Sequence, residues 1–322
     1  MNKLINGYKI TKDFNTRGAG MSRWGLAEKN GEKFFIKELL QPKFPEDGSF
    51  SEEYLEYARK NCIDFYRKRK RYYDALSQCR TGNIVIVEDF FRFDTKYYII
   101  TRFVDAVNVT AKELAGLETR NKEVLLNVVA NSIAALHRHG LVHSDLKLDN
   151  ILVKKTAAGS YTAKIIDFDS GFMVSEPPSN EEEIVGDDVY YAPETIRQLL
   201  GEDVSLTEKI DIFALGIIFH QIWTGELPAF NSEYANVAET VLNGAVMQID
   251  YSIPKKLREL IKCMLSENPA DRPSADEIFD TLMGKEESSV FKTKLELESL
   301  DNLWNSPVLY PHITKKPQDT ID

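Results

Sequence analysis

The eight residues His143-Ser144-Asp145-Leu146-Lys147-Leu148-Asp149-Asn150 restrict this chain more than any other stretch. They crowd charged and metal-binding side chains between apolar Leu141 and Val142 on one side and Ile151, Leu152 and Val153 on the other. Apolar flanks around a polar turn predict a rigid loop held over a core. Asp145 can accept a proton, Lys147 can neutralise a phosphate, and Asn150 offers a neutral oxygen to a hard cation. Further on, Ile165-Ile166-Asp167-Phe168-Asp169 reads as an apolar strand ending in a carboxylate. Asp167 there is the second oxygen ligand that a magnesium ion needs. A base, a cation and two metal ligands are the working parts of phosphoryl transfer, where catalysis is mostly positioning and charge neutralisation. The plain alternative, a charged surface loop between two strands, loses ground as further motifs accumulate along the chain.

With 322 residues the chain is long enough for two lobes sharing a sizeable core. Forty basic against fifty acidic residues give a net charge of −10, which argues against wholesale binding to nucleic acid or to an anionic membrane. No apolar run is long enough for a membrane span. The opening Met1-Asn2-Lys3-Leu4-Ile5-Asn6-Gly7 lacks the apolar region of a signal peptide. Cys62, Cys79 and Cys263 are odd in number and far apart, fitting reduced thiols and a cytoplasmic location better than a disulfide frame.

Several other strings carry a pattern. Arg17-Gly18-Ala19-Gly20-Met21 is a glycine-rich turn whose backbone N–H groups can approach a phosphate, and Lys33-Phe34-Phe35-Ile36-Lys37 is a strand ending in lysine. Ser51 to Leu76 has helical spacing, with Ser51 as cap and Glu52 and Glu53 in the first turn. Asn121 to His139 is amphipathic and stops at Gly140. Ile84–Val87 and Tyr97–Ile100 read as strands around Phe90–Asp94. Gly186-Asp187-Asp188-Val189-Tyr190-Tyr191-Ala192-Pro193-Glu194 closes an exposed, acidic, Pro/Ser-rich segment. Lys209 to Phe219 is a buried-helix signal containing one carboxylate, Asp211, which must be hydrogen-bonded to be tolerated.

In this order these strings resemble the protein kinase family, and in particular the eukaryotic-type kinases of bacteria. The resemblance spans most of residues 8–283. It implies an α+β, bilobal protein-kinase-like fold: a small β-rich N-lobe over residues 1–104, a larger helical C-lobe over 105–284, and a C-terminal tail over 285–322. It implies ATP and Mg2+ as cofactors, an unidentified protein substrate and scope for self-phosphorylation, with no nucleic-acid partner. Asp145 would orient or deprotonate the acceptor hydroxyl, and Lys147 would neutralise the γ-phosphate and favour Ser/Thr acceptors over Tyr. Asn150 and Asp167 would hold the metal. Gly18, Gly20, Lys37, the backbones of Arg102 and Val104, and Leu152 would bind the nucleotide, with Thr101 as gatekeeper. Asp211 would hold the catalytic-loop backbone, His143 would support that loop from the core, and Arg272 would pair with Glu194, a tie typical of protein kinases.

The departures are as informative. The family pairs its strand lysine with a glutamate from the helix expected at 51–76, but no glutamate stands in the right place, and Asp64 is the substitute. Arg23 fills the third glycine position, and Phe35 replaces a small residue that packs on adenine. Gly25, read as facing it, would make room. Ser144 replaces the arginine that reads an activation-segment phosphate, so activity should not depend on that phosphate. Asp169 replaces the glycine of the metal-binding turn, and Asp187 replaces a threonine. Arg67-Lys68-Arg69-Lys70-Arg71 reads as a solvated basic face, and His137, His139 and His143 as packing or capping residues rather than a metal cluster. Two other functions stay open: a nucleotide-binding pseudokinase or scaffold, and a small-molecule phosphotransferase of related fold.

Overall fold

The computed structural model describes residues 3–16, 22–46, 48, 50–79, 81–106, 109–156, 159–245 and 247–285. The expectations for Gly18, Gly20 and the tail beyond Lys285 lie outside the described residues.

The first hundred residues build an antiparallel sheet crossed by one helix. The strands are β1 (Leu4–Ile5), β2 (Tyr8–Asn15), β3 (Ser22–Lys29) and β4 (Glu32–Leu39), followed by helix α1 (Glu52–Leu76), then β5 (Val87–Phe93) and β6 (Lys96–Arg102). They pair in the order β1-β2-β3-β4-β6-β5. The β3–β4 hairpin turns on Asn30 and Gly31, both with positive φ, the backbone that a two-residue hairpin requires. Successive strand residues point to opposite faces, so β4 splits cleanly. Phe34 and Ile36 face a small apolar cluster with Ile5, Tyr8, Ile10, Phe91, Tyr98 and Ile100. Phe35 and Lys37 face the other way. Glu38 also points to the apolar face and is fully buried, a position tolerated only with partners. Lys96 Nζ (2.7 Å), Tyr98 Oη (3.0 Å) and Arg23 all donate to it. Burial pushes its carboxyl up, but those donors outweigh burial and hold it below the usual range.

Two strand expectations need correction. The β5 ladder covers Val87–Phe93, so Phe90–Phe93 lie within a strand rather than between two. Ile84 instead bridges to Ile165, outside the sheet. Gly25 pairs with Ile36, not Phe35, and so lies on the opposite face from the aromatic ring it was to accommodate. It is needed elsewhere: a Cβ there would stand 2.6 Å from the Lys12 carbonyl oxygen of β2. Leu26 is the residue opposite Phe35, and Trp24, opposite Lys37 on the same face, stacks its ring on Phe35 at 5.4 Å.

The rest of the chain is largely helical: α2 (Ala111–Ala115), α3 (Thr119–Arg138), β7 (Leu141–Val142), β8 (Ile151–Lys155), β9 (Tyr161–Ile165), β10 (Phe172–Met173), α4 (Pro193–Leu199), α5 (Lys209–Thr224), α6 (Val237–Leu242), α7 (Lys255–Met264) and α8 (Ala275–Leu282). Helix α5 is apolar on every side, as a central helix must be, and Ile210 to Phe219 are buried without a break. At Gly216 it meets the side chains of Met264 and Leu265 so closely that an added Cβ would lie 2.9 Å from Leu265. One apolar cluster runs from α1 (Tyr72, Tyr73, Leu76) through α3 (Leu125, Ile133, Leu136) to α5 (Phe213, Ile217). The small sheet and the helical lobe are therefore joined through α1. No described helix is long and apolar enough to cross a membrane. Cys62, Cys79 and Cys263 are buried thiols without a disulfide.

Candidate active site

The catalytic loop leaves β7 and returns into β8, so its two ends are anchored in buried strands. Ser144 takes a left-handed backbone, φ +69°, which costs a non-glycine residue free energy. The compensation comes from below. Asp211 of α5, 1% exposed, accepts the backbone N–H of His143 (2.8 Å, Oδ2) and of Ser144 (3.0 Å, Oδ1). His137 Nε2 lies 3.0 Å from the same carboxylate. His143 Nε2 lies 3.0 Å from the Ile166 carbonyl, and its ring packs on Phe168 at 4.8 Å. The expected roles of Asp211 and His143 are thus present as geometry, and His139 caps the end of α3 through Ala135 O. Among the described residues no group of three or more His, Cys, Asp or Glu is placed to hold a metal.

Over this support sits a connected polar cluster. Lys147 Nζ donates to Asp145 Oδ1 at 3.1 Å, and Asn150 Nδ2 donates to the Asp145 carbonyl (2.7 Å) and to Oδ2 (3.2 Å). Asp145 therefore has its carboxylate orientation fixed from two sides. Asn150 is itself locked, since its carbonyl accepts the Ile166 N–H at 3.0 Å. Gly186 lies alongside: its added Cβ would stand 3.6 Å from Asp145 Oδ1, so a side chain there would crowd the space in front of the base. Asp187, the threonine replacement, caps its own turn through Val189 N–H and comes within 4.0 Å of Lys147.

Opposite, Lys37 reaches down from β4. Its Nζ donates to Asp167 Oδ1 at 2.6 Å and to Asp169 Oδ2 at 2.8 Å. Burial opposes the lysine charge, but the Asp169 and Asp167 carboxylates outweigh it and push its pKa up. Asp167 is raised by burial and lowered more by Lys37, so it stays ionised. Asp169 is raised, by burial first and by its neighbour Asp167, against the pull of Lys37. Asp64 does not take part: it is exposed and pairs with Arg67. The acidic partner of Lys37 comes from the metal-binding turn, not from α1.

The α1 face turned toward this turn carries Arg69, Tyr72 and Tyr73. Arg69 Nη1 donates to Gly171 O at 2.6 Å, and the buried Tyr72 hydroxyl donates to Val142 O at 2.9 Å. Gly171 has to be glycine, because a Cβ would lie 2.0 Å from that hydroxyl. The basic run of α1 is not merely solvated. Lys68 pairs with Glu183 and Arg71 with Glu176, each at 2.8 Å, tying the helix to the segment that follows the metal-binding turn.

The remaining sequence candidates sit on β8, at the end of β6 and in the segment that follows it. Leu152 is half-buried in β8, paired with Lys164. Arg102 turns its side chain outward to Glu88 and Glu32, which leaves only its backbone for a ligand. Val104 is half-buried, and its carbonyl accepts the Ala106 N–H at 2.9 Å. Phe35 lies on the Lys37 face, stacked against Trp24, so that face of the sheet is aromatic beside the lysine. At the far end of the segment, Arg272 and Glu194 form a two-pronged buried pair, both bonds at 2.7 Å.

The donor set suits a magnesium ion. Such an ion takes one or two protein oxygens and completes its shell with phosphate and water. Asp167 offers a carboxylate, and Asn150, whose amide nitrogen is committed to Asp145, offers its remaining amide oxygen.

Comparison with known proteins agrees with this geometry. A protein kinase domain model matches residues 57–282. The chain is 33% identical over 153 residues to the serine/threonine-protein kinase Pkn1 of Myxococcus xanthus, covering 47% of this chain and 21% of that protein. It is 26% identical over 224 residues to the serine/threonine-protein kinase PrkC of Bacillus subtilis, covering 68% and 33%. It is 29% identical over 157 residues to the probable serine/threonine-protein kinase PknB of Lactococcus lactis, covering 48% and 24%. The matches span a third or less of these relatives' own length.

Proposed function

Because the chain belongs to the protein kinase family, we propose that it is a serine/threonine protein kinase that moves the γ-phosphate of Mg-ATP onto a protein hydroxyl. The observation that carries this is the shared cleft of Asp145, Lys147, Asn150, Asp167 and Lys37, supported from below by Asp211. Asp145, with its oxygens oriented by Lys147 and Asn150, receives the acceptor hydroxyl beside Gly186 and takes up its proton as the new O–P bond forms. Lys147 moves its charge to the transferred phosphoryl group. Lys37 anchors the α- and β-phosphates, the glycine-rich turn with Gly18 and Gly20 supplies further phosphate contacts as the family resemblance implies, and the backbones of Arg102 and Val104 and the side chain of Leu152 receive the base. Asn150 and Asp167 would hold a magnesium ion, which would supply positive charge to neutralise the phosphates. Residues 1–104 and 105–284 act as the two lobes, and the protein works in the cytoplasm.

Activity does not require a phosphate on the activation segment. Ser144 has no charge to read one, and the segment is already tied to α1 through Glu176 and Glu183. The decisive experiment is transfer of labelled phosphate from ATP to the protein itself and to a generic basic protein. Wild type should label, and Asp145→Asn should not, at unchanged melting temperature. Treating wild type with a phosphatase beforehand should leave the rate intact. One observation favours a second reading, a nucleotide-binding pseudokinase: Phe35, stacked on Trp24, stands where the family resemblance expects a small residue against adenine. In that case Mg-ADP still raises the melting temperature, but Asp145→Asn changes no labelling.

A further inference from the structure

Lys37 projects from β4 with its side chain 13% exposed, and its two bonds, to Asp167 and Asp169, both run to the same short turn. Helix α1 offers it nothing acidic. All the acids of α1, Glu52, Glu53, Glu56, Asp64 and Asp74, are exposed, and the inner face at this level carries Arg69, Tyr72 and Tyr73. The two carboxylates on Lys37 are not equivalent. Asp167 is the metal ligand of the proposed reaction and has that second claim on it. Asp169 has no comparable task, and it meets Lys37 through a bond of its own, separate from the one to Asp167. Its backbone is also compatible with a side chain: Asp167 adopts a left-handed φ of +66°, whereas Asp169 does not.

We propose that Asp169 is the positioning residue for Lys37, doing from the metal-binding turn what the resemblance assigns to a glutamate on the helix. The idea rests on the phosphotransfer reading of the cleft. A direct consequence is mechanical. The nucleotide-anchoring lysine and the metal ligand are tied to one three-residue turn, so holding Lys37 needs no acid from α1. Substituting Asp169 therefore loosens the lysine, while the metal ligand itself stays in place.

The test is ADP binding by titration calorimetry, in EDTA and in magnesium, beside separate kcat and KM values for ATP. Asp169→Gly should weaken ADP at least tenfold in magnesium and less in EDTA, where Asp167 still holds Lys37, and should raise the KM for ATP at least tenfold. Asp169→Asn should fall between, and Asp169→Glu, which keeps the charge, should recover to within about threefold of wild type if each lost tenfold corresponds to about 1.4 kcal/mol. In a Lys37→Met background, Asp169→Gly should cause no further loss, because the two residues act as one unit. A melting temperature within a few degrees of wild type, required of Asp169→Asn if Asp169→Gly fails to fold, separates positioning from collapse. Normal ADP binding by Asp169→Gly, or an equal loss with and without Lys37, overturns the proposal alone. Failure of the wild-type protein to bind any nucleotide overturns the phosphotransfer reading and the proposal with it.

Discussion

Replacing Asp211 by asparagine tests the link between the buried helix and the catalytic loop. The native carboxylate uses both oxygens: Oδ2 for the His143 N–H and His137, Oδ1 for the Ser144 N–H. An amide keeps one oxygen and points an N–H2 group at the other donor. The variant therefore loses one charge-assisted bond and leaves a buried backbone N–H unpaired, each worth about 1.5–3 kcal/mol. A total near 3–6 kcal/mol should lower the melting temperature by about 6–24 °C for a domain of this size, at about 2–4 °C per kcal/mol. Because Ser144 sits at φ +69° only while its N–H is held, the loop should relax, and kcat should fall more than the KM for ATP rises. The pH dependence has a definite sign. Burial pushes the Asp211 carboxyl up, but His137 and the His143 backbone outweigh it and hold the pKa below the usual value. Its stabilisation is thus complete above the unfolded carboxyl pKa, near about 3.9, and is lost as pH falls through the lower folded value. Urea unfolding of wild type and Asp211→Asn at a series of pH values should show a gap that is constant near neutrality and closes only in acid. A gap below about 1 kcal/mol at pH 7, or one that persists unchanged at pH 2, refutes this account of the support.

Arg272→Met should cost about 3–5 kcal/mol, because it strands the Glu194 carboxylate in a dry site, and adding Glu194→Leu should return much of it; urea unfolding of the three proteins checks this. Phe35→Ala should tighten ADP binding by placing a small residue against adenine, and calorimetry showing weaker binding would mean that the ring supports the base instead of crowding it. Lys68→Ala and Arg71→Ala should each change stability by less than about 1 kcal/mol, since both pairs are solvent-exposed and screened; a larger loss in thermal unfolding would mark them as a cooperative clamp.

The residues that sequence reasoning found and those it missed differ in what fixes them. Asp145, Lys147 and Asn150 sit in one short loop, where spacing alone sets their relative positions. Asp211 was recognisable because a carboxylate in an otherwise apolar helix demands partners. Glu194 and Arg272 lie far apart in the chain, but each is embedded in its own recognisable string. Lys37 was identifiable by its strand, yet its partner was not, because Asp169 lies 132 positions away and only the folded turn shows where it points. Gly25 failed for a different reason. Side chains alternate along a strand, so a one-residue error in register moves a residue to the other face, and Gly25 pairs with Ile36. The basic run of α1 was read as solvent-facing because its charges follow one another without a break. Its acidic partners, Glu176 and Glu183, belong to a segment with no periodic signal of its own.

The seating of Tyr72 on Gly171 gives the lobes a common hinge pin. The hydroxyl is fixed to the strand that leads into the catalytic loop, while the ring edge occupies the space a side chain would take just past the metal-binding turn. Pulling the helix away must withdraw this phenol from its socket and break its bond to the Val142 carbonyl. Displacement of the helix is thus mechanically coupled to the strand that leads into the catalytic loop, through Tyr72 and beside it the Arg69 bond to Gly171.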